Sequence, residues 1–246
     1  MQVTEPGTRP SGFTAELKFV VGAAMGVQIR EWARAHLDAD PHGGGQWSDE
    51  YRVSSVYFDT DARDVFHRRG SYGRSKYRIR RYHQEPVVFL ERKLRTGARL
   101  AKRRTSVDMT ILPLLAMPGS LNGDGTAWFR RRVALRSLQP VCQVSYLRTA
   151  RMALTPEGPA RMTMDVGISG LSSDAFTFAS QTGTPLLEGE MIVELKYRGR
   201  VPALFRQAIE EFRLVQRRSS KYRVAAQALG LVAVQPDDAP TQPLDA

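Results

Sequence analysis

Charged and apolar residues change places at every second position over much of this chain, which is the period of an extended strand with two unlike faces. The stretch KYRIRRYHQEPVVFLERKLR, residues 76–95, reads as two strands around a turn. Lys76, Arg78 and Arg80 share one face of the first strand, and Glu91, Lys93 and Arg95 share one face of the second. The same phase returns far away in sequence. Arg161, Thr163 and Asp165 oppose Met162, Met164 and Val166; Glu194 and Lys196 oppose Val193, Leu195 and Tyr197; Glu16 and Lys18 oppose Leu17 and Phe19. Lys102 and Arg104 are in phase, and Arg103 breaks the pattern. Alternating or β-branched runs between Gly, Pro and polar turns predict strands over 13–21, 52–60, 99–109, 141–154, 160–169 and 190–197, besides the two within 76–95. Helical spacing predicts a helix over 27–37 anchored by Ile29, Trp32 and Leu37, and a helical insert over 110–137. A helix begun by Pro202 follows over 202–215, then a last one near 220–229.

Many antiparallel strands with few helices predict an α+β fold built on a barrel or a strongly curved sheet, with helices as plugs and outer cover. Residues 13–232 read as one continuous domain without an internal repeat. Residues 1–12 and 233–246, rich in Pro, Gly and small polar side chains, have little to bury and are expected to be disordered.

A sheet face lined with cations needs a reason. Two cations about 5 Å apart repel by roughly 3 kcal/mol at an effective dielectric near 20, so a cluster is tolerable in open water or around an anion. For any single strand a solvated face is the default reading. Six strands with mostly Lys and Arg in phase, and only isolated carboxylates among them, favour a cationic lumen instead. The chain as a whole carries 36 Lys plus Arg against 25 Asp plus Glu, a formal net charge of +11. That balance points to an anionic partner, whether nucleic acid, acidic lipid or a phosphorylated small molecule.

The remaining chemistry narrows the choice. Cys142 is the single cysteine, which excludes an internal disulfide framework, implies a core thiol and suits a reducing compartment. No run approaches the roughly 18 apolar residues of a membrane span, and the N-terminus lacks a signal-like block, so a soluble cytoplasmic protein without direct membrane insertion is expected. The four histidines, 36, 42, 67 and 83, form no catalytic or metal spacing. GSYGRSKY (70–77) lacks Walker spacing and is followed by a strand, so it reads as a turn. FRRRVALR (129–136) reads as the solvated face of an amphipathic helix, and nucleic acid is not the expected partner. Arg63, Arg68, Arg69, Arg217 and Arg218 have no place in the strand phase; they read as surface charges or as guides for a polyanion leaving the lumen.

Taken in order, ELKF, SVYFDT, KYRIRRY, FLERKLR, KRR, VSYLRTAR, RMTMD, IVELKY and SSKY resemble the triphosphate tunnel metalloenzyme (CYTH-like) superfamily, and within it the VTC-type polyphosphate polymerase domain. The resemblance runs from residue 15 to 223. It implies a closed antiparallel β-barrel of about eight strands with flanking and capping helices. It also implies that Lys18, Arg78, Arg80, Lys93, Lys102, Arg104, Arg148, Arg161, Lys196 and Lys221 contact phosphates. Of these, Lys18, Arg78, Arg80, Lys93, Arg148 and Lys221 are expected to carry catalysis. Ser220 is a further phosphate donor or else a helix N-cap. Glu194 is the implied principal ligand of a divalent metal, Mn²⁺ or Mg²⁺, and Glu16 a second; Asp165 is either a ligand or the partner of a neighbouring arginine. Many hydrolases and cyclases of the superfamily open with Glu-x-Glu-x-Lys, whereas Thr14 takes the first Glu position here, which favours the polymerase branch. The expected activity is therefore transfer of the γ-phosphoryl group of ATP to inorganic polyphosphate, with a separate membrane protein as a conceivable recipient. Hydrolysis of inorganic or organic triphosphates, and non-catalytic sensing of polyphosphate or inositol polyphosphates, are the alternatives.

Overall fold

The computed structural model describes residues 15–83, 85–96, 99–117, 125–217 and 219–233. Thr14, Arg218 and, apart from Ala233, the two expected disordered ends lie outside the described residues. All eight anticipated strands are present: β1 (Ala15–Gly22), β3 (Glu50–Asp59), β4 (Ser75–Tyr82), β5 (Val87–Thr96), β6 (Arg99–Asp108), β7 (Gln139–Thr155), β8 (Gly158–Ser172) and β10 (Glu190–Tyr197). Two short strands, β2 (Asp38–Ala39) and β9 (Thr184–Pro185), complete the sheet. The helices are α1 (Ala23–His36), α2 (Leu112–Leu115), α3 (Ala127–Leu135), α4 (Ala203–Glu211) and α5 (Lys221–Ala228). Within the expected insert over 110–137 the described residues form α2 and α3, and the helix expected over 202–215 stops at Glu211.

All pairings are antiparallel, and the order is β1-β10-β8-β7-β3-β4-β5-β6. The outward phase of each strand builds two cores. Over β1, β8 and β10, Phe19, Met162, Met164, Val193 and Leu195 are buried under Ile29 and Trp32 of α1 and Phe205 of α4. Over β3, β4 and β5, Phe58, Tyr77, Ile79, Val88 and Leu90 pack with Leu112 of α2 and with Phe129 and Val133 of α3. Helix α1 lies tight on the sheet at Gly26, where a Cβ would fall 2.9 Å from the Met191 side chain. Ile29, Trp32 and Leu37 are buried as their spacing required, and Cys142 is a buried core thiol.

Closure into a barrel is the expectation that fails. Among the described residues β1 and β6 are the two ends of the sheet and do not pair. The outer edge of β1 is already occupied: Phe19 bridges Gln216, and the Arg217 amide donates to the Lys18 carbonyl at 2.9 Å. The chain leaving α4 thus takes the backbone groups that closure would have needed. At the other end, β6 is an exposed edge carrying Lys102, Arg103 and Arg104, a charged edge that discourages further pairing. The sheet is instead a deep trough, and α5 sits across it.

Candidate functional site

Strand register places the alternating charges on one continuous concave face. Lys76 stands opposite Lys93, Arg78 opposite Glu91 and Arg80 opposite Phe89; Lys93 and Glu91 in turn oppose Lys102 and Arg104. On the other flank, Lys18 opposes Glu194, Glu16 opposes Lys196, and β8 sets Thr163 and Arg161 beside those two. Between the flanks, Arg148 faces Asp165 on one side and Tyr51 on the other, while Ser55 and Tyr57 face Arg80 and Arg78. Arg103, out of phase, turns outward and lies 4.6 Å from the Trp128 ring.

Helix α5 completes the site because a buried carboxylate holds it in place. Asp59 accepts from the amides of Thr60, Val65 and Phe66 and from the Tyr222 hydroxyl. Tyr222 also stacks on Tyr57 with ring centroids 5.6 Å apart. So fixed, α5 reaches both walls at its first turn: Lys221 meets Asp165 of β8 at 2.6 Å, and Ser220 accepts from Lys76 of β4 at 2.9 Å. Ser220 occupies the N-cap position without a side-chain capping bond, its hydroxyl being engaged by Lys76.

The basic side chains are arranged around four carboxylates. Glu194 accepts Lys18 on one oxygen and Lys196 on the other, both at 2.8 Å, with Lys221 at 3.9 Å. Glu16 shares Lys18 at 2.8 Å and meets Lys93 at 3.8 Å. Asp165 takes a two-pronged bond from Arg148 at 2.6 and 2.7 Å. Glu91, 2% exposed, gathers Arg78 at 2.6 Å, Lys102 at 2.8 Å and Arg104 at 3.3 Å. Burial alone would raise these acids; Lys18 and Lys196 at Glu194, and Arg78 and Arg80 at Glu91, outweigh it and hold both carboxyls well below the usual range. Conversely, burial disfavours a charged Lys18, and Glu194 with Glu16 overcomes it and raises its pKa.

Two expected phosphate contacts lie deeper than the rest. Arg80 is 6% exposed and donates to Ser55 at 3.0 Å and to the Tyr146 hydroxyl at 3.3 Å. Arg148, equally buried, is committed to Asp165. Arg161 is drawn to one end, where it meets Asp40 at 2.6 Å and the Tyr51 hydroxyl at 3.0 Å. Lys18, Arg78, Lys93, Lys102, Arg104, Lys196 and Lys221 are brought together along the face. Thr163, fully buried beside Glu194, has a hydroxyl with no hydrogen-bond partner.

Several residues of the face had no role in the sequence reading. Lys76 and Glu91 were in phase and were detectable from phase alone. Tyr51, Tyr57 and Tyr146 were not, because β3 and the middle of β7 are buried almost continuously and show little alternation, whereas Tyr82 of β4 stands in phase with Lys76, Arg78 and Arg80. Burial would raise Tyr82, yet Arg80 and the nearby Arg104 and Arg78 pull it down to about 8. The basic stretch of α3 lies elsewhere: Arg131 and Arg132 line an open recess of about 410 Å³ with Arg103 and Trp128 on the outer side of the sheet.

The described residues contain no cluster of three or more His, Cys, Asp or Glu able to cage a metal. Glu16 and Glu194 nevertheless converge on one point, since a single ammonium touches an oxygen of each at 2.8 Å. Two carboxylates of this kind fit Mg²⁺ or Mn²⁺ held largely by oxygens of a phosphate substrate, the usual manner of hard cations that keep few protein ligands.

A curved antiparallel sheet that gathers basic side chains around a few carboxylates on its concave face defines the class, a CYTH-like triphosphate tunnel fold. A family model described as the VTC domain matches residues 13–230, and the chain belongs to that family. Among solved structures it is similar to a Bacillus halodurans protein named "putative adenylate cyclase", at 15% identity and a TM-score of 0.51, covering 83% of this chain and 92% of that one. It is also similar to HpAC1 of Hippeastrum, named "putative adenylyl cyclase" and described as having a dominant triphosphatase activity. There the identity is 14% and the TM-score 0.49, over 91% of this chain and 98% of the other. No curated protein sequence matches the chain. Among the described residues no helix is long and apolar enough to cross a membrane.

Proposed function

We propose that the concave face binds the triphosphate of ATP and transfers its γ-phosphoryl group to the end of an inorganic polyphosphate chain. The observation that carries this reading is the excess of cations over carboxylates on one face: among the described residues, basic side chains from Lys18 to Lys221 outnumber Glu16, Asp40, Glu91, Asp165 and Glu194. Membership of the VTC family supports the choice of polyphosphate as acceptor.

Phosphoryl transfer needs charge neutralisation and alignment more than covalent help. Arg78, Lys93, Lys102, Arg104 and Lys196 are positioned to take phosphate oxygens, and the carboxylates hold them in place beforehand, so little reorganisation accompanies binding. An incoming triphosphate replaces part of the Glu91 and Glu194 contacts with stronger ones to its own oxygens. The acceptor is a terminal phosphate whose oxygen is already anionic near neutral pH, so no strong general base is needed. Two of the four histidines are taken up in packing: His36 stacks on Trp32 and His67 packs edge-on against Phe66. Glu194 and Glu16 are the residues that would hold a divalent cation, which when bound supplies Lewis-acid neutralisation of phosphate oxygens.

Incubation of the purified protein with ATP and Mn²⁺, followed by a polyphosphate-stained gel, tests the reading. A ladder is expected. Free phosphate without a ladder would make the protein a triphosphatase, and tight triphosphate binding without turnover would make it a sensor.

A further inference from the structure

At one mouth of the trough the cations outnumber their counter-ions most clearly. Lys76 of β4 and Lys93 of β5 are directly opposed in register, and Lys18 of β1 and Arg78 of β4 face the same space. Arg68, in the loop before β4, adds a further positive charge within electrostatic reach. Glu16 serves Lys18 and Lys93, and Glu91 serves Arg78. Among the described residues no carboxylate lies within 4 Å of Lys76, whose one bond is to the Ser220 hydroxyl at the start of α5.

We propose that Lys76 and Ser220 form a further phosphate-binding pair at this mouth, and that entry of a phosphate group of the substrate is accompanied by uptake of a proton there. This rests on the reading of the face as a triphosphate site. The geometry supplies the reason: a half-buried amine surrounded by like charge on β1, β4, β5 and the 60–74 loop has no carboxylate within 4 Å, among the described residues, to stabilise its protonated form. Burial, and then repulsion from Lys18, Lys93, Arg68 and Arg78, lower Lys76 to about 7. A phosphate placed among the same groups reverses the balance, because an anion within about 4–6 Å favours the charged form. The Ser220 hydroxyl accepts from the Lys76 amine through a lone pair and keeps its own hydrogen to donate to a phosphate oxygen.

Calorimetric titration of the full chain with inorganic triphosphate at pH 8, in two buffers of different ionisation enthalpy, measures the protons taken up. Wild type is expected to take up close to one proton more than Lys76→Arg, which is charged beforehand, and than Lys76→Met, which cannot be charged. Lys76→Met should also bind triphosphate about tenfold more weakly, the loss of one charge-assisted contact. Equal uptake by wild type and Lys76→Arg, with triphosphate bound by both, would overturn the inference and leave the proposed function standing. Failure of wild type to bind triphosphate would overturn both. One variant is charged throughout and the other never, and each alone removes the proton uptake, so the comparison survives if one of them does not fold.

Discussion

Lys93 of β5 reaches Glu16 of β1, Nζ to Oε2 at 3.8 Å, although five strands separate β1 from β5 in the sheet. Side chains therefore span a gap that the backbone leaves open. The pair is partly exposed, with side-chain accessibilities of 45% and 22%, and such pairs contribute within about 1 kcal/mol to stability. Its value lies in placing a cation over the trough. Lys93→Met is expected to leave the denaturation midpoint almost unchanged while weakening triphosphate binding about tenfold and flattening its salt dependence. Calorimetry at two salt concentrations, beside a urea titration, checks both halves; unchanged affinity would remove Lys93 from the site.

Glu91 is the opposite case, a buried acid on which three cations depend. Glu91→Gln keeps the shape and removes the charge, leaving the half-buried Arg78 uncompensated beside a buried amide. Breaking a buried pair in this way costs about 3–5 kcal/mol. Triphosphate supplies the missing negative charge, so the ligand-induced rise in melting temperature should be larger for the variant than for wild type. A smaller rise in the variant would mean that Glu91 shapes the fold without competing with the ligand.

Strand phase made the charged face legible because β1, β4, β5, β6, β8 and β10 each present one wet and one packed side. Asp165 shows the limit of that reading: phase put it on the face, but only register brought it against Arg148. The failure to close was not legible at all. It depends on Gln216 and Arg217 occupying the edge of β1, a long-range pairing that no local period records. Tyr51, Tyr57 and Tyr146 were missed for the converse reason, since a central strand buried on both sides has no alternation to read.

Stability should respond to pH in two separate windows. Glu91 and Glu194 have folded-state pKa values below the ordinary 4.5, so the unfolded chain binds protons first as pH falls. Their contribution is complete above about 5 and is lost as pH drops through 4.5 toward the folded values. Lys76 acts with the other sign. Its pKa falls from 10.5 to about 7 on folding, so between those values the unfolded state holds the extra proton and stability rises with pH. Urea titrations from pH 4 to 9.5 should show an acid decline that is shallower in Glu194→Gln, and a rise above pH 7 that is smaller in Lys76→Met, where Tyr82, lowered to about 8, still contributes with that sign. A wild-type profile flat above pH 7 would contradict the lowered Lys76 value.

Glu194→Gln separates binding from turnover. Removing the charge leaves Lys18, Lys196 and Lys221 with less compensation, which raises the positive potential over the face. Triphosphate measured without metal should therefore bind as tightly as in wild type, or more tightly. Turnover of ATP with Mn²⁺ should fall by on the order of 100-fold, the size associated with losing one electrostatic contact to a transition state. The neutral amide is a poor ligand for a hard divalent cation, and Glu16, shared with Lys18 and Lys93, is left as the one carboxylate at that point. Excess Mn²⁺ is expected to restore part of the rate if Glu194 serves to hold the cation, and none if its charge acts by positioning Lys18 and Lys196. A variant that turned over at the wild-type rate would exclude both roles.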